Sequence, residues 1–237
     1  MPRRRPHCLH LACLGLPLLA LAAAIGLGAT VARAATLTQE AFGNLKVGGF
    51  VVVLRHGMTD EGPGFAEDKS PLDLANCADQ AALSEAGRAQ ARAIGAAFAA
   101  ASIPVGKVLA SGYCRALEMG RLAFGRVEAS DALLLRTYVP IPGAPAPLPW
   151  SQRVARLRSW LGVPPDWWFK PPPAAPINTI LITHFPNIKA ALGVDIDFGS
   201  AVIVRPSGTG DFRLVARISG DEWGLLAPGN TAGDNTK

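Results

Sequence analysis

Histidine is scarce in this sequence. The 237 residues hold four, and His7 and His10 lie in an N-terminal stretch that reads as an export signal. His56 and His184 are left. Cysteine is as sparse: Cys8 and Cys13 fall in the same stretch, leaving Cys77 and Cys114. With so few ligands and no CxxC or HExxH spacing, a His- or Cys-rich metal site is excluded. There is no G-x-S-x-G elbow and no glycine-rich loop ending in Lys, which removes serine-hydrolase and P-loop chemistry. Charge is thin as well, at 17% of residues. No run of Lys or Arg occurs beyond the N-terminus, so no nucleic-acid partner is expected.

What is present begins with that N-terminus. Arg3-Arg4-Arg5 is followed by an apolar stretch from Leu11 to Val31 and by Ala32-Arg33-Ala34, a small-x-small cleavage site. The expectation is a signal peptide over residues 1–34, cut before Ala35, and one domain over 35–237. The competing reading is an uncleaved membrane anchor, which Pro17 and the many Gly and Ala residues disfavour. The segment carries four of the 23 basic residues and no acid. Removing it takes the formal net charge from +5 to +1, with 19 basic against 18 acidic residues. The location implied is the periplasm or the medium, with no stable membrane span after cleavage.

The remaining chain alternates strand-like and helix-like segments. Gly48 to Leu54, Val105 to Ala110 and Asn178 to Thr183 are continuous apolar or β-branched runs, as buried parallel strands require. Ser84 caps a helix reaching Ala101, with an apolar stripe at helical spacing. Further helices are predicted over Arg115 to Phe124, closed by Gly125, over Arg153 to Leu161 and over Asn187 to Leu192. Leu133 to Val139 reads as a strand, and Ser200–Arg205 and Phe212–Ile218 as a final strand pair. Pro140–Pro149 and Pro164–Pro176 are loops, and the tail after about residue 227 has the composition of a disordered end. The pattern predicts an α/β fold: a three-layer sandwich with a mainly parallel central sheet flanked by helices.

His56 and His184 each follow one of the strand-like runs directly. In such folds, ligands bind at the carboxyl ends of strands. Arg55 beside His56 offers a planar fork matched to phosphate oxygens, and an imidazole can form a covalent intermediate. Together they point to phosphoryl chemistry without a metal or other cofactor. An even pair of cysteines in an exported chain also suggests a disulfide between Cys77 and Cys114, which would tie the loop after the first strand to the segment holding Arg115.

Four segments carry a resemblance: Leu54-Arg55-His56-Gly57 with Thr59, Leu83-Ser84-Glu85-Ala86-Gly87-Arg88, Val108 to Glu118, and Ile182-Thr183-His184 with Asn187-Ile188. In this order they resemble the histidine phosphatase superfamily, the phosphoglycerate-mutase-like group, over most of the chain. The resemblance implies that His56 is the nucleophile and that Arg55, Arg115 and His184 hold the phosphoryl oxygens, with Thr59 adding a hydroxyl. His184 would serve as a donor, protonated beside phosphate. The implied substrate is a small-molecule or envelope-glycan phosphate ester. The sequence also departs from the family. Phe185 stands where one branch has its acidic residue, Met119 replaces a usual Thr, and Gly120 is a poor helix former. The carboxylates left as candidate general acids are Glu128 and Asp131. These departures motivate an alternative: a non-catalytic phosphate- or phosphoglycan-binding module on the same fold.

Overall fold

A computed structural model of the chain describes residues 40–60, 67–165 and 177–226. The expected signal peptide, most of the second Pro-rich loop with Trp167 and Trp168, and the tail beyond 226 lie outside the described residues. The sheet has six strands: β1 (Val51–Arg55), β2 (Val105–Ala110), β3 (Glu128–Ala129), β4 (Asn178–Thr183), β5 (Ala201–Pro206) and β6 (Phe212–Ile218). Their order is β3-β2-β4-β1-β5-β6. The first four in this order run parallel, and β5 and β6 are antiparallel.

Helices cover both faces: α1 (Glu85–Ala100), α2 (Cys114–Phe124), α3 (Trp150–Gly162), α4 (Phe185–Leu192) and α5 (Trp223–Leu226). Strand alternation divides the core into two layers. Val52 and Leu54 of β1 join Ile180 and Ile182 of β4, Ile94 and Phe98 of α1, and Trp223 of α5. Val51 and Val53 face the other way, toward Leu157 and Leu161 of α3 and Ile188 of α4. β1 and β4 are therefore buried on both sides, which is why their sequences are apolar without interruption. No described helix is long and apolar enough to cross a membrane.

Local chemistry sets the helix ends. Ser84 Oγ accepts the N–H of Gly87 at 3.0 Å and caps α1. Gly125 and Gly193 close α2 and α4 in the left-handed conformation. α2 packs tightly: a Cβ at Gly120 would stand 2.8 Å from Val127 Cβ and 3.3 Å from Ile182 Cδ1 of β4, so its lack of a side chain serves close packing of the helix, and Met119 is wholly buried beside it.

The expected strand over Leu133–Val139 is not formed. The edge strand is the shorter β3, and residues Asp131–Leu133 make a 3-10 turn. The reason lies in α3. Buried Arg153 donates from Nη1 to the carbonyls of Leu134 and Leu135, at 3.1 and 3.0 Å, and Asn187 Nδ2 donates to Leu134 at 2.9 Å. Side chains thus take the carbonyls that a ladder would have used, while Leu133 and Leu134 bury themselves over the end of the sheet.

Candidate active site

The parallel register places the two histidines side by side. Arg55 pairs with Thr183 across β1 and β4, and the His56 N–H donates to the Thr183 carbonyl at 3.1 Å. The next residues, His56 and His184, leave adjacent strand ends together, with ring centroids 5.1 Å apart. On the other side of β4, Ser111 N–H donates to the Ile182 carbonyl at 2.9 Å. This sets the turn from which α2 starts, with Arg115 in its first turn. Three neighbouring carboxyl ends, β2-β4-β1, thus supply one crevice.

A close backbone approach holds the nucleophile candidate in place. A Cβ at Gly57 would stand 2.7 Å from the Gly87 carbonyl oxygen, and one at Gly87 would stand 2.1 Å from that of Met58. Glycine at both positions lets the start of α1 lie against the turn after His56.

His56 is 6% exposed, and its tautomer follows from its neighbours. Nδ1 is 2.9 Å from the Gly57 carbonyl oxygen, which can only accept, so Nδ1 carries the proton. Nε2 keeps its lone pair and accepts from Arg115 Nε at 3.3 Å. Burial, followed by the charge of Arg115 and then that of Arg55, lowers the His56 pKa to about 3 despite the Gly57 hydrogen bond. His56 is thus a neutral imidazole with one bare nitrogen facing a guanidinium.

His184 is 1% exposed. Its Nε2 lies 2.8 Å from Ser111 Oγ, and its Nδ1 has no partner among the described residues. Burial and then His56 and the arginines hold its pKa well below the ordinary value. Among these neighbours His184 is a neutral imidazole. When the Ser111 hydroxyl donates to Nε2, Nδ1–H is left as the donor.

Arg55 donates from Nη1 to the Ile196 carbonyl at 3.0 Å. Its guanidinium carbon stands 3.6 Å over the Phe198 ring and 5.5 Å from that of Phe185. Arg115 is 4% exposed, with its guanidinium carbon 4.6 Å over Tyr113. Its Nη1 and Nη2 pair with the two oxygens of Asp68 at 2.8 and 2.9 Å.

The structure brings Arg55, His56, Arg115 and His184 together. Thr59 forms a one-residue bridge to Leu83, at the start of the turn that leads into α1. Glu128 is exposed on β3, 4.0 Å from Lys107 Nζ, and Asp131 is exposed at the start of its turn. Among the described residues, neither carboxylate is a hydrogen-bond partner of His56, Arg115 or His184. Cys77 and Cys114 form a disulfide. Sequence reasoning missed Asp68, Ser111, Tyr113 and Phe198. Ser111 and Tyr113 lie inside a quoted motif and could have been marked. Asp68 and Phe198 lie in loops that carry no pattern. No group of three or more His, Cys, Asp or Glu side chains among the described residues could hold a metal ion.

The architecture and site geometry define a class, the histidine phosphatase fold. The protein histidine phosphatase SixA, solved with tungstate, shares it at a TM-score of 0.50 and 13% identity, over 73% of this chain and 98% of that one. Also similar are a phosphoserine phosphatase from Entamoeba histolytica, solved with 3-phosphoglyceric acid (14% identity, 72% and 96% covered, TM-score 0.48), and a mycobacterial glucosyl-3-phosphoglycerate phosphatase (21%, 72% and 98%, 0.44). No protein-family model matches the sequence, and no curated protein is significantly similar to it.

Proposed function

We propose that this protein is a phosphatase that hydrolyses a phosphate monoester, without a metal, through a phosphohistidine on His56. One observation carries the reading: the buried neutral imidazole of His56 points its bare Nε2 at a guanidinium. A nucleophilic nitrogen beside fixed cationic donors is what in-line phosphoryl transfer needs. Nε2 attacks phosphorus, and the N–P bond forms as the ester P–O bond breaks. Arg55, the Nε edge of Arg115 and Nδ1–H of His184 receive the charge on the phosphoryl oxygens. Water then cleaves the N–P bond and frees phosphate and His56. Phe185 stands where a carboxylate could have protonated the leaving group, so esters of good leaving groups are the best substrates.

The N-terminal segment and the disulfide support a location outside the cytoplasm. That location favours envelope sugar phosphates or small nutrient esters over the cytoplasmic substrates of mutases and phosphohistidine-protein phosphatases. The decisive experiment is p-nitrophenyl phosphate turnover with and without EDTA. Release that EDTA leaves unchanged and that vanishes in His56→Ala is expected, with acid-labile phosphate trapped on the wild type. Phosphate binding without turnover of any activated ester would instead assign a non-catalytic binding module.

A further inference from the structure

Asp68 reaches the site from outside every sequence motif. Its Oδ1 accepts from Arg115 Nη1 at 2.8 Å and its Oδ2 from Arg115 Nη2 at 2.9 Å. Oδ1 also accepts the backbone N–H of Ala81 at 3.0 Å, while Arg115 Nη1 gives a further bond to the Ala81 carbonyl at 3.3 Å. One loop therefore holds both the carboxylate and the arginine. The arginine side of the pair is 5% exposed and the aspartate side 23%, so water competes weakly for it.

A guanidinium has an end, made by Nη1 and Nη2, and a side, made by Nε and Nη2. Asp68 fills the end. The side remains, and its Nε is the donor aimed at His56 Nε2. A phosphoryl group joined to Nε2 lies against that side and can take Nε–H together with the second Nη2 hydrogen. Without the end-on pair, the rotation of the guanidinium plane is left, among the described residues, to the His56 contact, the Ala81 carbonyl and the face of Tyr113.

We infer that Asp68 is a positioning residue: it stays on the end of Arg115 through the reaction and keeps the Nε side of the guanidinium on the phosphoryl-accepting nitrogen. The inference rests on the phosphatase reading. It contrasts with the other use of such a pair, in which the carboxylate merely fills a phosphate site until substrate displaces it. The two make opposite predictions. A displaced carboxylate competes with phosphate, so neutralising it strengthens phosphate binding. A positioning carboxylate does not compete, and neutralising it weakens stabilisation of the transferring group.

The experiment uses the full chain with Asp68→Asn, Asp68→Glu and Asp79→Asn. The last breaks the Lys69 ion pair of the same loop, away from Arg115. Expected for Asp68→Asn is a kcat on p-nitrophenyl phosphate lowered by about 10- to 100-fold, with orthovanadate inhibition weakened in parallel and inorganic phosphate affinity not improved. Asp68→Glu recovers part of the loss, and Asp79→Asn keeps the wild-type kcat. Tighter phosphate binding in Asp68→Asn, an unchanged kcat, or a loss matched by Asp79→Asn overturns the inference. If the wild type turns over no ester, the phosphatase reading fails separately. The clamp is then read from the Arg115 Nε–H proton by NMR: slow exchange in the wild type that is lost in Asp68→Asn supports it, and equal exchange overturns it.

Discussion

The two imidazoles differ in what holds them, and this fixes how the protein responds to acid. His56 titrates in the folded chain at about 3, because burial, Arg115 and Arg55 oppose its charge. In the unfolded chain it titrates near 6.5. Between these values the unfolded chain binds the extra proton, so stability is complete above about pH 6.5 and falls as pH drops toward 3, by up to about 1.4 kcal/mol per pH unit. His184 is lowered by burial and by His56, and acts in the same direction. The expected outcome is a urea midpoint that drops between pH 6.5 and 4 and drops less steeply in His56→Asn. Equal slopes would mean that His56 takes up its proton at the same pH folded and unfolded, so that burial and Arg115 do not hold it neutral in acid. The position of His56 was readable from sequence because it directly follows a strand. Its charge state was not, since Arg115 and the Gly57 carbonyl meet it only in the folded molecule. The same holds for His184: sequence shows an imidazole at a strand end, but not that it is 1% exposed and faces His56 and the arginines.

Among the elements, α1 supports the site through its first turn, which packs against the turn after His56. Gly87 sits where a Cβ would lie 2.1 Å from the Met58 carbonyl oxygen. That oxygen also accepts the Ser84 N–H at 2.9 Å, and the Met58 N–H donates to Gln90 Oε1 at 2.9 Å. Two effects oppose each other in Gly87→Ala. Helix propensity favours alanine by about 1 kcal/mol, but the new methyl meets backbone that can yield only by moving the turn after His56. Overpacking of this kind costs about 1–3 kcal/mol or more, so the clash wins. The variant should melt several degrees lower, at about 2–4 °C per kcal/mol for a chain of this size, and its kcat should fall as His56 shifts. A Gly87→Ala protein with unaltered melting and kcat would show that α1 slides freely. The same helix shows what the sequence made legible. Its Ser84 cap and apolar stripe are local signals, as are the β-branched runs of β1 and β4. β3 carries no such signal: two exposed residues pair with Leu109 and Ala110, while the more strand-like Leu133–Val139 is diverted by Arg153 from another helix.

Across the molecule, the strand order delivers three carboxyl ends to one crevice, and the Cys77–Cys114 disulfide fastens the loop carrying Asp68 to the start of α2. The bridged cysteines are 37 residues apart in sequence, with Cα atoms 5.7 Å apart. Closing a loop of that length removes chain entropy from the unfolded state worth about 4 kcal/mol, within a usual range of about 2–5. The site contacts do not depend on the sulfurs alone. Gln80 Oε1 accepts the Cys114 N–H at 2.8 Å, and Asp68 holds Arg115 directly. Stability and catalysis should therefore separate. A Cys77→Ser, Cys114→Ser double variant is expected to melt about 8–16 °C lower, yet at 25 °C to lose less kcat than Asp68→Asn. Dithiothreitol should reproduce the shift in the wild type and leave the double variant unaffected. Alkylation of both thiols in the purified protein without reductant, or a reduced protein that melts where the oxidised one does, would show that the bridge does not brace the fold. A double variant as inactive as Asp68→Asn at 25 °C would move the clamp on Arg115 from the carboxylate to the disulfide.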